Sequence, residues 1–305
     1  MPQAMTSPLT PTLIGVGTSG SRSVSSLKKK EVEGNYLIIS DKSFDVVKGV
    51  PFIPYEGENR IENSIESFGG ISVVFTSLAG NTGPYISPHL NLALKQKGNY
   101  VLNVAFPPFP YQENLYFKAA NTLRRLKRAA NLLLVVDNNF FKKKIGHIPL
   151  NEYYNRVNTR IAEVVRFILK GESLEEVRSL GDGVGVIIGV KAESISSAVA
   201  KVLANVYSMA GKVESSVAFI PKDPMPSPNE LERIYRGLSL LDSGPPTNVR
   251  AIKDVSEVSL TMVAKTDHVN FERYDPVARI LADRVLDDEP EVKLNVSLPM
   301  LERID

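Results

Sequence analysis

The chain has 305 residues, 43% hydrophobic and 23% charged, the profile of an ordinary soluble globular protein. Thirty-six Lys and Arg against 34 Asp and Glu leave a formal charge of +2, which argues against a dedicated nucleic-acid binder and its strong basic excess. The chain has no cysteine, which excludes disulfides, thiol catalysis and cysteine-ligated metals, and His89, His147 and His268 stand too far apart for a metal cluster. No apolar run approaches the roughly 18 residues of a membrane span. The opening "MPQAMTSPLTPT" lacks the basic start and apolar stretch of a signal peptide, so a cytoplasmic protein is expected.

The first half alternates short apolar runs with helix-like stretches. Candidate strands are "TLIGVG" (12–17), "NYLIIS" (35–40), "ISVVFTS" (71–77), "YVLNVAF" (100–106) and "NLLLVVDN" (131–138). Most are continuously apolar, as strands covered on both faces should be, and intervening segments such as "ENLYFKAANTLRRLKRA" are long enough for parallel crossovers. An α/β parallel sheet with helices on both sides is expected. In "LNEYYNRVNTRIAEVVRFILKG" (150–171), Tyr154, Val157, Ile161, Val164 and Ile168 fall at helical spacing, which predicts one long helix stopped by Gly171. "GVGVIIGV", "SISSAVAKVLANVYSMAG", "SSVAFIP", "SPNELERIYRGLSLL", "NVRAI" and "EVSLTMVAKT" then make a second, smaller α/β unit. Ser227, Pro228 and Glu230 suit the start of its second helix. The charge-rich end around "DDEPE" predicts a helix and an edge strand, "KLNVSLP".

Two glycine clusters follow predicted strands. In "GVGTSGSR" (15–22), Gly15, Gly17 and Gly20 satisfy G-x-G-x-x-G, and Asp41 follows Gly20 by 21 residues. Alone, that is a dinucleotide fingerprint, with pyrophosphate at the helix N-terminus and the acid on a ribose; a plain structural turn is the alternative. The second cluster lies in "TSLAGNTGPYISP" (76–88). Two backbone-amide concavities on neighbouring strands suit a mononucleotide with several phosphates better than one pyrophosphate bridge. The basic runs "LKKK" (27–30), "RRLKR" (124–128) and "FKKK" (141–144) read as solvated helix ends.

These segments resemble the tubulin/FtsZ family of guanine-nucleotide-binding, polymerising proteins, from about residue 12 to about 265. "LIGVGTSGSRSV" is similar to the family's first glycine loop, "YLIISDKS" to the strand and acidic turn after it, and "VVFTSLAGNTGPYISP" to its signature phosphate loop. "VAFPPFPYQEN" is similar to its Pro-Phe loop, and "LLLVVDNN" to the strand whose terminal Asn reads guanine. The resemblance implies that Gly15, Gly17, Thr18, Gly20, Ser21, Asp41, Gly80, Asn81, Thr82 and Gly83 surround GTP or GDP, with Mg2+ beside the phosphates. It gives the ribose to Glu113 (or Gln112), base stacking to Tyr154, and the guanine edge to Asn138 and Asn158. Periodicity alone leaves Tyr154 equally a core residue. The domains implied are a nucleotide-binding domain over 1–149, a connecting helix over 150–171, a C-terminal α/β domain over 172–274 and an extension over 275–305.

The departures concern hydrolysis. Pro84 and Tyr85 replace a Thr-Gly pair in the phosphate loop. The family's catalytic loop, Asn-x-Asp-x-x-Asp/Glu, acts on the neighbouring subunit's nucleotide; here Gly171 and Ser173 take its first two places and only Glu176 remains acidic. The reading is therefore a cytoskeletal or cell-division protein that binds guanine nucleotide, associates head to tail, and hydrolyses GTP weakly or not at all. The alternatives are an NAD-dependent oxidoreductase, for which no catalytic His, Lys or Tyr stands in an obvious place, and a ligand-free scaffold.

Overall fold

The computed structural model describes residues 10–55, 70–109, 112–136, 149–169, 171–222, 225–240, 248–252, 260–267 and 269. The expectations at Asn138, His147, His268, "FKKK", "DDEPE" and "KLNVSLP" lie outside the described residues.

The apolar runs form one ten-stranded sheet, ordered β3-β2-β1-β4-β5-β6-β7-β10-β8-β9. These strands are β1 (Thr12–Val16), β2 (Asn35–Ser40), β3 (Phe52–Pro54), β4 (Ile71–Ser77), β5 (Tyr100–Phe106), β6 (Leu132–Val135), β7 (Gly183–Val190), β8 (Val213–Pro221), β9 (Asn248–Ile252) and β10 (Leu260–Thr266). From β3 to β7 all neighbours run parallel, β10 is antiparallel to β7 and β8, and β9 is parallel to β8. The sheet passes without interruption from the first unit into the second, because β6 pairs with β7 from Leu132↔Gly183 to Val135↔Val186.

Seven helices among the described residues cover the sheet: α1 (Gly17–Lys29), α2 (Gly83–Gln96), α3 (Tyr116–Ala129), α4 (Leu150–Ile168), α5 (Gly171–Ser179), α6 (Ile195–Met209) and α7 (Pro228–Leu238). Successive strand residues point to opposite faces, so both faces of a central strand must be apolar. Leu13, Val73, Phe75, Leu102 and Val104 meet Val24 and Leu27 of α1 and Ile161, Val165 and Ile168 of α4. Ile14, Val16, Ile39 and Val74 meet Ile86, Leu90 and Leu94 of α2 on the other side. Farther along, Leu133, Val135, Val186 and Ile188 pack with Leu126, Val202, Val206 and Ile234 of α3, α6 and α7.

One helix end differs from the sequence expectation. The predicted helix over 150–171 is α4, one helix that ends at Ile168, and Gly171 opens α5 instead of ending α4; Leu174 and Val177 of α5 are buried in the same core as Ile161. After β4 the helix begins at Gly83, ahead of Pro88, which lies inside it. Pro84 occupies the first turn, where a missing N–H costs nothing, but Pro88 cannot donate to the carbonyl of Pro84. Arg125 of α3 reaches that carbonyl instead, its Nη1 donating over 3.4 Å. The capping expectation for α7 is met: Ser227 Oγ accepts from the Glu230 amide, and Glu230 Oε2 accepts from the Ser227 amide at 2.8 Å.

Helix α1 lies so close to the sheet that side chains are excluded at the crossing. A methyl group at Gly20 would stand 2.3 Å from the carbonyl oxygen of Phe75, and one at Gly15 would stand 2.6 Å from the carbonyl oxygen of Gly20. Gly20→Ala is therefore expected to lower unfolding free energy by about 1–3 kcal/mol through overpacking, read as a lower urea midpoint. An unchanged midpoint would show that α1 can lift off the sheet at no cost.

Tyr100, at the start of β5, gives an alkaline signature. Its hydroxyl is buried without a hydrogen-bond partner, and the Arg178 guanidinium lies 5.4 Å from its ring centroid. Burial first, and the Asp182 carboxylate second, push the phenol from its ordinary 10.0 up to about 12, against an opposing pull from Arg178. Between pH 10.0 and about 12 the unfolded chain gives up this proton while the folded chain holds it, so stability falls as pH rises through that window. Urea midpoints of the wild type should drop across it more steeply than those of Tyr100→Phe.

Candidate functional site

The site stands at the carboxyl ends of β1 and β4, neighbours in the sheet with Val16 opposite Thr76. Each strand runs almost directly into a helix. Gly17, at φ +65°, makes the turn from β1 into α1, a conformation that a residue with a side chain adopts only with strain. After β4 the turn uses Ser77, whose Oγ accepts from the amides of Ala79 and Gly80, both at 3.3 Å. The helix then starts at Gly83, where a methyl group would stand 2.4 Å from Thr76 Oγ1. The two glycine loops touch: a methyl group on Gly17 would lie 3.1 Å from Cβ of Thr82. Two helix N-termini, each with amides that lack intrahelical acceptors, thus open side by side.

Two carboxylates border these loops. Asp41, at the end of β2, accepts a short hydrogen bond from Thr82 Oγ1. Asp45 is buried and accepts from Thr18 Oγ1 at 3.1 Å and Ser40 Oγ at 2.5 Å. Ser21 is buried in α1, its Oγ donating to the Gly17 carbonyl at 2.8 Å. Thr18, Ser21, Asp41 and Thr82 therefore brace the loops through their side chains.

Beside the loops lies a cavity of about 200 Å³. Its walls are Ser19 and Arg22 of α1, the Ser77–Gly80 turn, the loop from Phe106 to Phe109, Gln112, and Tyr154 and Asn158 of α4. The spacing of Tyr154 and Asn158 puts both on one face of α4, and that face is turned to the cavity together with Val157, which also packs in the core with Ile161 and Val164. Tyr154 is half-buried and held by Phe109, whose ring centroid is 5.4 Å away at a 52° tilt. Gln112 is fixed across its own turn, its Oε1 accepting from the Phe109 amide at 3.0 Å. Glu113 begins a short turn of helix, Glu113–Leu115, and the placement of its side chain, like Asn138, lies outside the description.

Arg22 was not singled out in the sequence, yet its guanidinium carbon lies 6.0 Å from the Tyr154 ring centroid. The available signal was its place three residues after Ser19, on the same face of α1. Glu176, at the far end of the expected catalytic stretch, forms a close ion pair with Arg250 of β9, and Ser173 is buried. The described residues include no group of three or more His, Asp and Glu able to hold a metal by themselves.

No family model matches the chain. A curated cell division protein, FtsZ 2 of Halobacterium salinarum, is 25% identical over 166 residues, which cover 51% of this chain and 42% of that protein. The chain thus spans less than half the length of this relative. Among solved structures, the empty FtsZ dimer of M. jannaschii superimposes with a TM-score of 0.73 at 17% identity, over 89% of this chain and 92% of that one. The GTPγS-bound protofilament of CetZ2 from Haloferax volcanii gives a TM-score of 0.70 at 16% identity, over 89% and 98% of the two chains. The strand order β3-β2-β1-β4-β5-β6 is shared with dinucleotide-binding folds, but the second glycine loop and the Tyr154–Asn158 wall are not accounted for by that reading. The fold is therefore that of the tubulin/FtsZ structures, and half of the chain is similar in sequence to a curated FtsZ.

Proposed function

We propose that this chain is a cytoskeletal, cell-division type of protein that binds GTP or GDP across the two glycine loops and the adjoining cavity. The observation that carries this reading is the cavity itself: it begins at the phosphate-type loop and ends on an aromatic and an amide from one face of α4. Tyr154 offers a ring for stacking and Asn158 a donor and acceptor for a base edge. A purine stacked there also meets Arg22, whose donor fork matches the O6 and N7 acceptors of guanine.

The phosphates would lie on the amides that open α1 and α2, where the helix dipoles favour negative charge. Asp41 and Asp45 beside them would repel a bare phosphate. Their oxygens, with those of Thr18 and Thr82, are hard ligands that would suit a cation such as Mg2+. When bound, such an ion neutralises charge between the phosphates. CetZ2 is described with bound GTPγS in a protofilament, which supports both nucleotide binding and head-to-tail association here.

Hydrolysis would be weak or absent. Of the three positions that correspond to the catalytic loop, Gly171 carries no functional group, Ser173 is buried, and Glu176 is committed to Arg250. Loss of groups that orient water and stabilise charge removes about two or more orders of magnitude in rate.

Denaturing the purified protein and separating what it releases should yield guanine nucleotide near one per chain, and Tyr154→Ala should weaken its binding by roughly 5- to 100-fold, the range for loss of one base–aromatic stack. Release or uptake of NAD, or no nucleotide even after addition of GTP, would sink the proposal. Turnover of GTP by the assembled protein should be slow and unchanged in Glu176→Gln. In sedimentation with GTP the protein should pellet as polymer, and monomer alone at high protein concentration would remove the head-to-tail part.

A further inference from the structure

The outer layer formed by α2 and α3 carries a one-signed surface that the nucleotide reading does not use. Between Ser67 and Val136 the chain has seven Lys and Arg and a single acid, Glu113, while the rest of the sequence holds more acidic than basic residues. Neither α2 nor α3 contains Asp or Glu. The outer face of α3 follows helical spacing through the exposed Phe117, Asn121, Arg125 and Arg128 and the partly exposed Arg124. That of α2 runs through Tyr85, His89, Leu92 and Gln96.

The two helices are tied into one surface. Arg125 donates to the Pro84 carbonyl at 3.4 Å and lies 3.4 Å from His89 Nε2, and the Lys118 ammonium stands 5.4 Å from the Tyr85 ring centroid. Large apolar side chains project from the same surface: Tyr85 is 59% exposed, Phe117 57% and Leu92 45%. Basic groups mixed with protruding aliphatic and aromatic side chains, and no acid among them, suit a bilayer, where cations meet headgroups and apolar groups enter the acyl boundary. A duplex would not use Leu92 or Phe117 against its phosphates, and two helices packed side by side do not present the single projecting helix that enters a groove.

We propose that the outer face of α2 and α3 is a peripheral docking surface for a lipid bilayer with anionic headgroups. It holds the protein to the membrane without crossing it; no helix among the described residues is long and apolar enough to span one.

Flotation of the full chain with phosphatidylcholine vesicles, prepared with and without phosphatidylserine, tests this. Binding is expected only to the vesicles that contain phosphatidylserine, and it should weaken as salt is raised. The double variant Arg124→Glu, Arg128→Glu should bind these vesicles about 30-fold or more weakly, from the loss of two basic residues at the surface. Leu92→Ser with Phe117→Ser should bind roughly tenfold more weakly at unchanged charge, from the lost apolar contact. Circular dichroism and nucleotide content matching the wild type show that the variants fold. Equal binding to both vesicle types, no binding to either, full binding by the charge-reversed variant, or full binding by the Leu92/Phe117 variant would each overturn the proposal. So would tighter retention of a DNA duplex than of the phosphatidylserine vesicles, lost in the same charge-reversed variant.

Discussion

The architecture turns on a contact in which there is no room for a side chain. Helix α1 crosses the sheet with Gly20 against the backbone of Phe75 and against Gly15, so its distance from β1 and β4 is set by main-chain atoms. Side chains at this crossing would hold the helix off by the thickness of a methyl group or more. At the contact distance observed, the start of α1 falls beside the start of α2, Gly17 touches Thr82, and Ser19 and Arg22 reach the cavity. The position of the loops is thus a packing result before it is a binding one.

The loops themselves are ordered by polar side chains that look inward. Thr82 is bound to Asp41, Thr18 to Asp45, and Ser77 to the turn that follows it. On the underside of α2, Ser87 donates to Thr76 at 2.8 Å, so the helix is fastened to the strand from which it rises. Fixed dipoles that need no rearrangement bind an anion at lower cost than mobile ones, because ordering has been met in folding. The same arrangement places two carboxylates close to the amides, which makes net charge at this end of the sheet sensitive to any cation shared with them.

Helix α4 performs two duties through its periodicity. One face supplies Val157, Ile161, Val164 and Ile168 to the core shared with α1, and Glu163, itself mostly buried, pairs with Lys30 of α1 at 3.1 Å. At the N-terminal end of that stripe, Tyr154 and Asn158 form the cavity wall beside Val157. Since the core face fixes the rotation of the helix, the cavity residues have no freedom to turn away. The structure therefore favours Tyr154 as a cavity residue over a buried one, although its ring also leans on Phe109.

Most strands, the parallel direction of those in the first half, the two glycine turns and the Ser227 cap were legible in the sequence, whereas β3, the strand order and the antiparallel β10 were not. Each legible feature depends on spacing within a short window: continuous apolar runs for strands buried on both faces, glycine where backbone must approach backbone, and a cap three residues from its partner. The sequence also placed Tyr154 and Asn158 on one side of a helix, because four residues make about one turn. It did not show which side faces a cavity, that Arg22 covers the ring, that Asp41 and Asp45 are bound to the loop hydroxyls, or that Pro88 sits within α2 with Arg125 serving the freed carbonyl. Nor did it join the exposed faces of α2 and α3 into one basic surface; "RRLKR" alone reads as a solvated helix end. Those features join residues tens of positions apart, and they exist only once the helices have settled against the sheet. Local pattern determined the elements, and the packing distance between them decided the site.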